Sequence, residues 1–237
     1  ESDPRLVIRK GSLNLEGRTL NGYVAVLRAV AGKKVPTVVV IHENPGLNRH
    51  IVDGTRRIAL AGYFAVAPDF LSGVGGTPSD EDQGREMIGR LELGNSVADA
   101  VALTDAMRGL DHSNGKVGAV GFCWGGAFVN RLAVAAGDKL DAGVAYYGPA
   151  PDPAEASKVK SALLLHYAGL DERVNSSGEP WAAALKKAKA DARAYTYPGV
   201  NHAFNNDTSA DRYDKAAADL AWRRTMEFFG KHLGKPA

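Results

Sequence analysis

The chain is poor in cysteine: Cys123 is the single one in 237 residues, which excludes an intramolecular disulfide and any multi-cysteine metal site. It also lacks an excess of charge. Twenty-nine Lys and Arg face 27 Asp and Glu, for a formal net charge of +2. The two signs are interspersed, leaving no basic stripe to track a nucleic-acid backbone. Long apolar runs are missing too. The longest, such as residues 37–41 and 161–165, are strand-length and far short of the roughly 20 residues a membrane helix requires. No Ser/Pro-rich linker, internal repeat or low-complexity segment interrupts the chain. The expectation is one domain over residues 1–237, a monomer or small homo-oligomer without nucleic-acid partner or membrane insertion. The opening Glu1-Ser2-Asp3-Pro4 carries no methionine, which favours a periplasmic or exported location over a cytoplasmic one.

What is present is an ordinary soluble composition, 45% hydrophobic and 24% charged, with 27 glycines for tight turns. Residues 6–8, 11–15 and 20–27 alternate apolar and polar around turn residues, predicting an antiparallel start. The pattern then changes. Residues 35–42 form a β-branched run of the kind buried on both sheet faces, ending in the loop Glu43-Asn44-Pro45-Gly46. Helices are expected over 51–61, 80–93, 96–110, from Cys123 to about 136, 179–189 and 210–233. Strands are expected over 63–67, 116–121, 140–147, 162–166 and 192–197. The glycine-rich stretch 72–78 reads as a flexible loop facing substrate. Strands alternating with helices imply an α/β fold, a mostly parallel doubly wound sheet flanked by helices without a large lid domain, its ligands at the strand C-terminal ends.

The most informative segment is 117–126, Val-Gly-Ala-Val-Gly-Phe-Cys-Trp-Gly-Gly. It runs from an apolar strand through Gly-x-Cys-x-Gly into a helix, the pattern of a nucleophile elbow with sulfur in place of oxygen. Gly121 and Gly125 flank Cys123 where a Cβ would collide in so sharp a turn, and Gly126 lets the helix start pack closely. A thiol at a helix N-terminus is pushed towards the thiolate by the helix dipole. Such a nucleophile needs a base and a group to orient that base. His202 lies in the loop after the last expected strand. His42, His50, His112, His166 and His232 read as structural or solvated. Asp171 sits at a strand exit, Tyr167-Ala168-Gly169-Leu170-Asp171-Glu172-Arg173. Its rival Asp69 precedes the nucleophile and reads as capping or structural. Cys123, Asp171 and His202 then follow the nucleophile, acid, histidine order of α/β-hydrolases.

The motifs Gly-Phe-Cys-Trp-Gly-Gly, Tyr146-Tyr147-Gly148, Gly169-Leu170-Asp171-Glu172-Arg173 and Asn201-His202-Ala203-Phe204 resemble the dienelactone hydrolase family, over residues 20–233. His42-Glu43-Asn44-Pro45-Gly46-Leu47-Asn48 is similar to the family's loop that brings a glutamate to the resting thiol. The resemblance therefore implies a guarding role for Glu43 and an oxyanion hole from the backbone N–H groups of Asn44 and Trp124. A carboxylate beside a thiol disfavours the thiolate, which keeps a resting nucleophile protonated and less oxidisable. The implied activity is hydrolysis of small-molecule esters or lactones through a thioester, with no cofactor and no metal.

The resemblance is incomplete at the substrate carboxylate. The family's type enzymes grip it with two arginines, and Gly73 and Asn206 occupy those positions here. A bidentate arginine is not replaced by glycine or an amide without large loss of affinity. Phe70, Tyr146, Tyr147, Phe204 and Asn206 are the expected pocket residues, giving an aromatic, weakly polar site. Two alternatives stand beside the esterase reading: the same site acting on phosphoesters or other activated electrophiles, and a non-catalytic ligand-binding or redox-responsive thiol module.

Overall fold

The structure is a computed structural model that describes residues 3–15 and 17–234; Glu1 and Ser2 of the opening lie outside them. Its contacts gather into two compact units, residues 1–117 and 118–235, a division that no shift in composition announces.

In the first unit, β1 (Leu6–Leu15) and β2 (Arg18–Leu27) form an antiparallel hairpin in register from Leu6 opposite Leu27 to Leu15 opposite Arg18. The two short segments expected at 6–8 and 11–15 are one strand, because Gly11 pairs with Gly22 and the ladder runs through. Strand β2 pairs antiparallel with β4 (Phe64–Asp69), and β4 pairs parallel with β3 (Val35–Ile41). All seven residues of β3 are buried, as its continuous apolar run requires. Helix α1 (Arg49–Leu60) begins where the Asn48 side chain accepts from the Ile51 N–H at 3.2 Å, and Gly62 follows it at a positive φ of 97°. Helix α2 (Glu81–Gly89), capped by Asp80, and helix α3 (Leu93–Arg108) complete the unit.

The second unit repeats one theme: a parallel strand, a turn at its C-terminal end, then a helix. Strand β5 (Ser113–Phe122) enters it at Gly118. It pairs with β6 (Ala142–Tyr146), β6 with β7 (Ala162–Ala168), and β7 with β8 (Ala192–Tyr197), all parallel. The helices are α4 (Trp124–Ala135), α5 (Glu172–Lys187) and α6 (Lys215–Leu233). Helix α5 starts at 172 instead of the expected 179. Asp171 caps it, accepting from Val174 N–H, whereas Gly178 and Pro180 inside it weaken the sequence signal. Gly178 is demanded by packing, since a Cβ there would lie 2.5 Å from the Tyr167 ring. Helix α6 starts at 215 instead of 210, at the cap Asp214, whose side chain accepts from Ala217 N–H at 2.8 Å.

No helix among the described residues is long and apolar enough to cross a membrane. Trp181 of α5 has no exposed surface, and its indole N–H donates to Asn130 Oδ1 of α4 at 3.2 Å. Trp181→Ala should therefore lower stability by about 3–5 kcal/mol. Asn130→Ala, which strands the buried indole N–H, should cost about 1–3 kcal/mol. Urea unfolding midpoints of the two variants check the ranking, and a reversed order would refute the packing account.

Candidate active site

Strand β5 delivers Cys123 to the N-cap position of α4 with φ 55° and ψ −113°. A non-glycine residue at positive φ is uncommon, and such strain persists only where the surroundings fix it. Here they do. A Cβ on Gly121 would lie 2.1 Å from the Gly125 carbonyl oxygen, and one on Gly126 would lie 2.4 Å from the Tyr146 carbonyl oxygen. The Cys123 N–H donates to the Tyr146 carbonyl at 3.0 Å, and the Cys123 carbonyl accepts from Ala127 N–H at 3.0 Å. The cysteine is partly exposed. Trp124, half-buried, is the first residue of α4, its ring 5.1 Å from Phe128.

Asp171 and His202 come from the ends of β7 and β8, and backbone hydrogen bonds set the two loops in register. Gly169 N–H donates to the Tyr197 carbonyl at 2.8 Å and Leu170 N–H to the Val200 carbonyl at 3.0 Å. Gly169 has to be glycine, because a Cβ would lie 2.8 Å from the Tyr197 carbonyl oxygen. The Asp171 carboxylate is divided. Its Oδ1 accepts from Val174 N–H at 3.2 Å and its Oδ2 from His202 Nδ1 at 2.5 Å. A carboxylate oxygen accepts, so Nδ1 carries the proton and Nε2 is the nitrogen left for acid–base work. Burial pushes the His202 pKa below its ordinary value. Asp171 opposes the shift, while the Arg173 and Arg212 cations reinforce it.

Behind this pair lies an aromatic block. Tyr147, at φ 36°, sets its ring 5.0 Å from that of His202 and 5.4 Å from Phe204, nearly perpendicular to the latter. Tyr146, Tyr147 and Phe204 have no exposed surface. They pack against one another and against the His202 ring. Asn206 is half-buried and its Oδ1 accepts from the Thr208 N–H at 3.0 Å and hydroxyl at 2.6 Å, so its side chain stabilises its own turn.

Glu43, Asn44 and Phe70 belong to the first unit. Strand β3 runs into His42, whose Nδ1 contacts the Glu43 carbonyl at 2.9 Å and whose Nε2 accepts from Phe70 N–H at 3.1 Å. A carbonyl only accepts and an amide N–H only donates, so His42 is neutral with its proton on Nδ1. The ring is a clamp between the Glu43 loop and the β4 exit. Phe70, 5% exposed and 5.6 Å from that ring, is a wedge with little surface for a ligand. The expected flexible stretch at 72–78 is instead tied down. Thr77 donates to both Asp69 oxygens, through N–H at 2.8 Å and hydroxyl at 2.9 Å, and its hydroxyl accepts from Leu47 N–H at 2.8 Å. The structural reading of Asp69 therefore stands. Sequence reasoning missed the bracing of Glu43 by His42 and Thr77, because spacing says nothing of which ring nitrogen bears a proton.

Burial raises the Glu43 pKa to about 7; the charge of Glu81 adds to the shift and Arg85 opposes it. The folded state thus holds the carboxyl proton more tightly than the unfolded chain. That stabilisation is complete below the ordinary value of 4.5 and is lost as pH rises through about 7. Glu43→Gln should remove this dependence. Between about pH 5 and pH 8 the native protein should lose up to about 3 kcal/mol relative to the variant. Parallel pH profiles of unfolding free energy would contradict it.

No group of three or more His, Cys, Asp or Glu able to hold a metal occurs among the described residues. Residues 20–233 match the profile described as the dienelactone hydrolase family. A protein of Escherichia coli O157:H7, provisionally named a carboxymethylenebutenolidase, is 32% identical over 254 residues, covering 98% of this chain and 90% of its own. The crystal structure of a provisionally described dienelactone hydrolase from Klebsiella pneumoniae superposes with a TM-score of 0.85 and 26% identity, covering 95% of this chain and 99% of that one. The fold is also that of a dienelactone hydrolase-like promiscuous phosphotriesterase from metagenomic libraries, with a TM-score of 0.81 and 23% identity over 97% of this chain and all of the other. With the family match spanning all but the two ends, and Cys123, Asp171 and His202 each at a strand's C-terminal end, the chain belongs to the dienelactone hydrolase family and has the α/β-hydrolase fold.

Proposed function

We propose that this protein is a carboxylic ester hydrolase that opens small esters or lactones with a Cys123–His202–Asp171 triad through a thioester. The observation that carries the reading is the presence, in one compact unit and at the C-terminal ends of its strands, of a cysteine held at φ 55° and of a histidine whose Nδ1 is fixed 2.5 Å from a buried aspartate. A turn of that strain and a base of that orientation have no purpose in a passive core.

His202 Nε2 takes the Cys123 thiol proton, Sγ attacks the carbonyl carbon, and the carbonyl π electrons move to oxygen. The backbone N–H of Trp124, at the start of α4, stabilises that oxyanion. Collapse expels the alkoxide, which takes a proton from His202 Nε2, and leaves a thioester on Cys123. Water then attacks the thioester carbonyl while His202 Nε2 removes its proton, and the acid leaves as the thiol is restored. Asp171 holds the ring in the tautomer that both half-reactions need. With glycine at 73 and Asn206 engaged in its own turn, the substrate needs no carboxylate of its own.

Cys123→Ala should lower turnover of an activated aryl ester by about 10³-fold or more. Wild-type rates in that variant would sink the triad, and a stable Cys123 adduct without released acid would assign a binding role instead. The kcat profile should fall on an acid limb lying below the ordinary histidine value of 6.5, since burial outweighs Asp171 at His202 and water activation requires the neutral ring. A limb above that value would show that another group limits the reaction.

A further inference from the structure

Away from the triad, β8 and α6 enclose a half-open cavity of about 130 Å³ on which Arg193, Arg224, Lys231 and His232 converge, with Glu227 the acid in its wall. The permanent cations outnumber that acid three to one. Asp191 stands at the rim and forms long ion pairs with Lys231 and His232, at 3.9 and 3.8 Å. Burial lowers the His232 pKa, the Asp191 charge opposes the shift, and the neighbouring Lys231 and Arg193 add to it. Arg224 is pre-positioned. Its guanidinium carbon sits 3.8 Å above the Tyr195 ring, and one Nη1 donates to Tyr197 Oη at 3.1 Å. A stacked, tethered guanidinium loses little freedom when it binds a planar or tetrahedral oxyanion.

The cavity is also the outer end of a hydrogen-bonded chain whose donors can all be assigned. Arginine only donates, so the Tyr197 hydroxyl accepts from Arg224 and gives its proton to His166 Nδ1 at 2.9 Å. His166, its pKa lowered to about 3 by burial, is then neutral with its proton on Nε2, which donates to Thr225 Oγ1 at 3.1 Å. Thr225 spends its one hydroxyl proton on the Ala221 carbonyl at 2.9 Å, so the Tyr146 hydroxyl must donate to Thr225, at 2.7 Å. Tyr146 is the residue whose carbonyl accepts the Cys123 N–H, and the His166 carbonyl accepts the Tyr147 N–H at 2.7 Å. Nothing in the proposed reaction uses Arg224, Tyr197, His166 or Thr225.

We propose that the β8–α6 cavity is a regulatory site for a small dianionic group, a phosphate or a dicarboxylate, whose occupancy reaches Cys123 through the chain Arg224–Tyr197–His166–Thr225–Tyr146. An oxyanion bridging Arg193, Lys231 and Arg224 draws the Arg224 fork off Tyr197. That removes the donor that polarises the Tyr197 hydroxyl, and so weakens its bond to His166 and the cooperative bonds that follow it. The volume fits the anionic group alone, so any larger ligand extends into solvent.

The test is titration calorimetry of the intact protein with inorganic phosphate and, separately, succinate, against the double variant Arg193→Glu/Lys231→Glu. Both substituted side chains are largely exposed and outside the hydrogen-bonded chain, so the variant should fold. Wild type should bind one of the two anions roughly millimolar or tighter, and the variant at least about tenfold more weakly. Whichever anion binds names the ligand class. No saturable binding of either, or equal binding by the variant, overturns the site. For the transmission, the rate of Cys123 alkylation by iodoacetamide should change by about twofold or more at saturating anion in wild type and stay unchanged in the variant. An unchanged wild-type rate at saturation overturns the coupling. Alkylation requires only the thiol, so either outcome is independent of whether the protein turns over esters.

Discussion

A cysteine backbone at φ 55° is an unfavourable conformation, and the second unit is arranged to hold it there. The two sides of the turn can close because a glycine stands at 121, directly against the Gly125 carbonyl. The third support comes from the next strand: Gly126 and Gly148 meet at a distance that admits no side chain on either, with a Cβ on Gly148 falling 2.1 Å from Ala127 N. Close contact between α4 and the β6 exit is thus what converts an ordinary strand-to-helix crossing into a presentation device for one sulfur atom. Strain of this kind, of order 1–3 kcal/mol, is borne by the packing around it. Tyr147 and Ala203, at φ 36° and 68°, are strained in the same neighbourhood, which marks the ends of β5, β6 and β8 as one constrained region.

Much of this was legible because the informative residues are local. Gly-x-Cys-x-Gly after an apolar strand announces its own geometry, since each glycine answers a collision within a few residues. The order of Cys123, Asp171 and His202 could be read because parallel strands bring successive C-terminal ends to one edge. Helix α5 was misplaced for the converse reason. Its first turn depends on the Asp171 cap, and its interior carries Gly178, which packing against Tyr167 demands and propensity penalises. The burial of Tyr146, Tyr147 and Phe204 was not legible, since in sequence a ring at a strand end reads the same whether it faces a ligand or its neighbours.

The least legible features are the polar ones assembled from distant positions. The clamp on Glu43 requires knowing that His42 accepts at one nitrogen and donates at the other. The buried chain joins residues 146, 166, 197, 224 and 225, from three strands and a helix. In each, a donor-only or acceptor-only group at one end dictates every proton that follows. Such networks are recoverable from coordinates by valence alone and are invisible to periodicity.

The divided carboxylate of Asp171 ties chemistry to local opening. One oxygen holds the first turn of α5 and the other holds the His202 ring, on a single short side chain. Whenever that turn frays, the carboxylate loses its anchor and the imidazole loses its alignment in the same event. In the proposed reaction, the fraction of competent molecules then cannot exceed the fraction in which the Val174 amide is protected from exchange. A helix end that would elsewhere be a peripheral detail becomes, here, the clock by which the base is in or out of register.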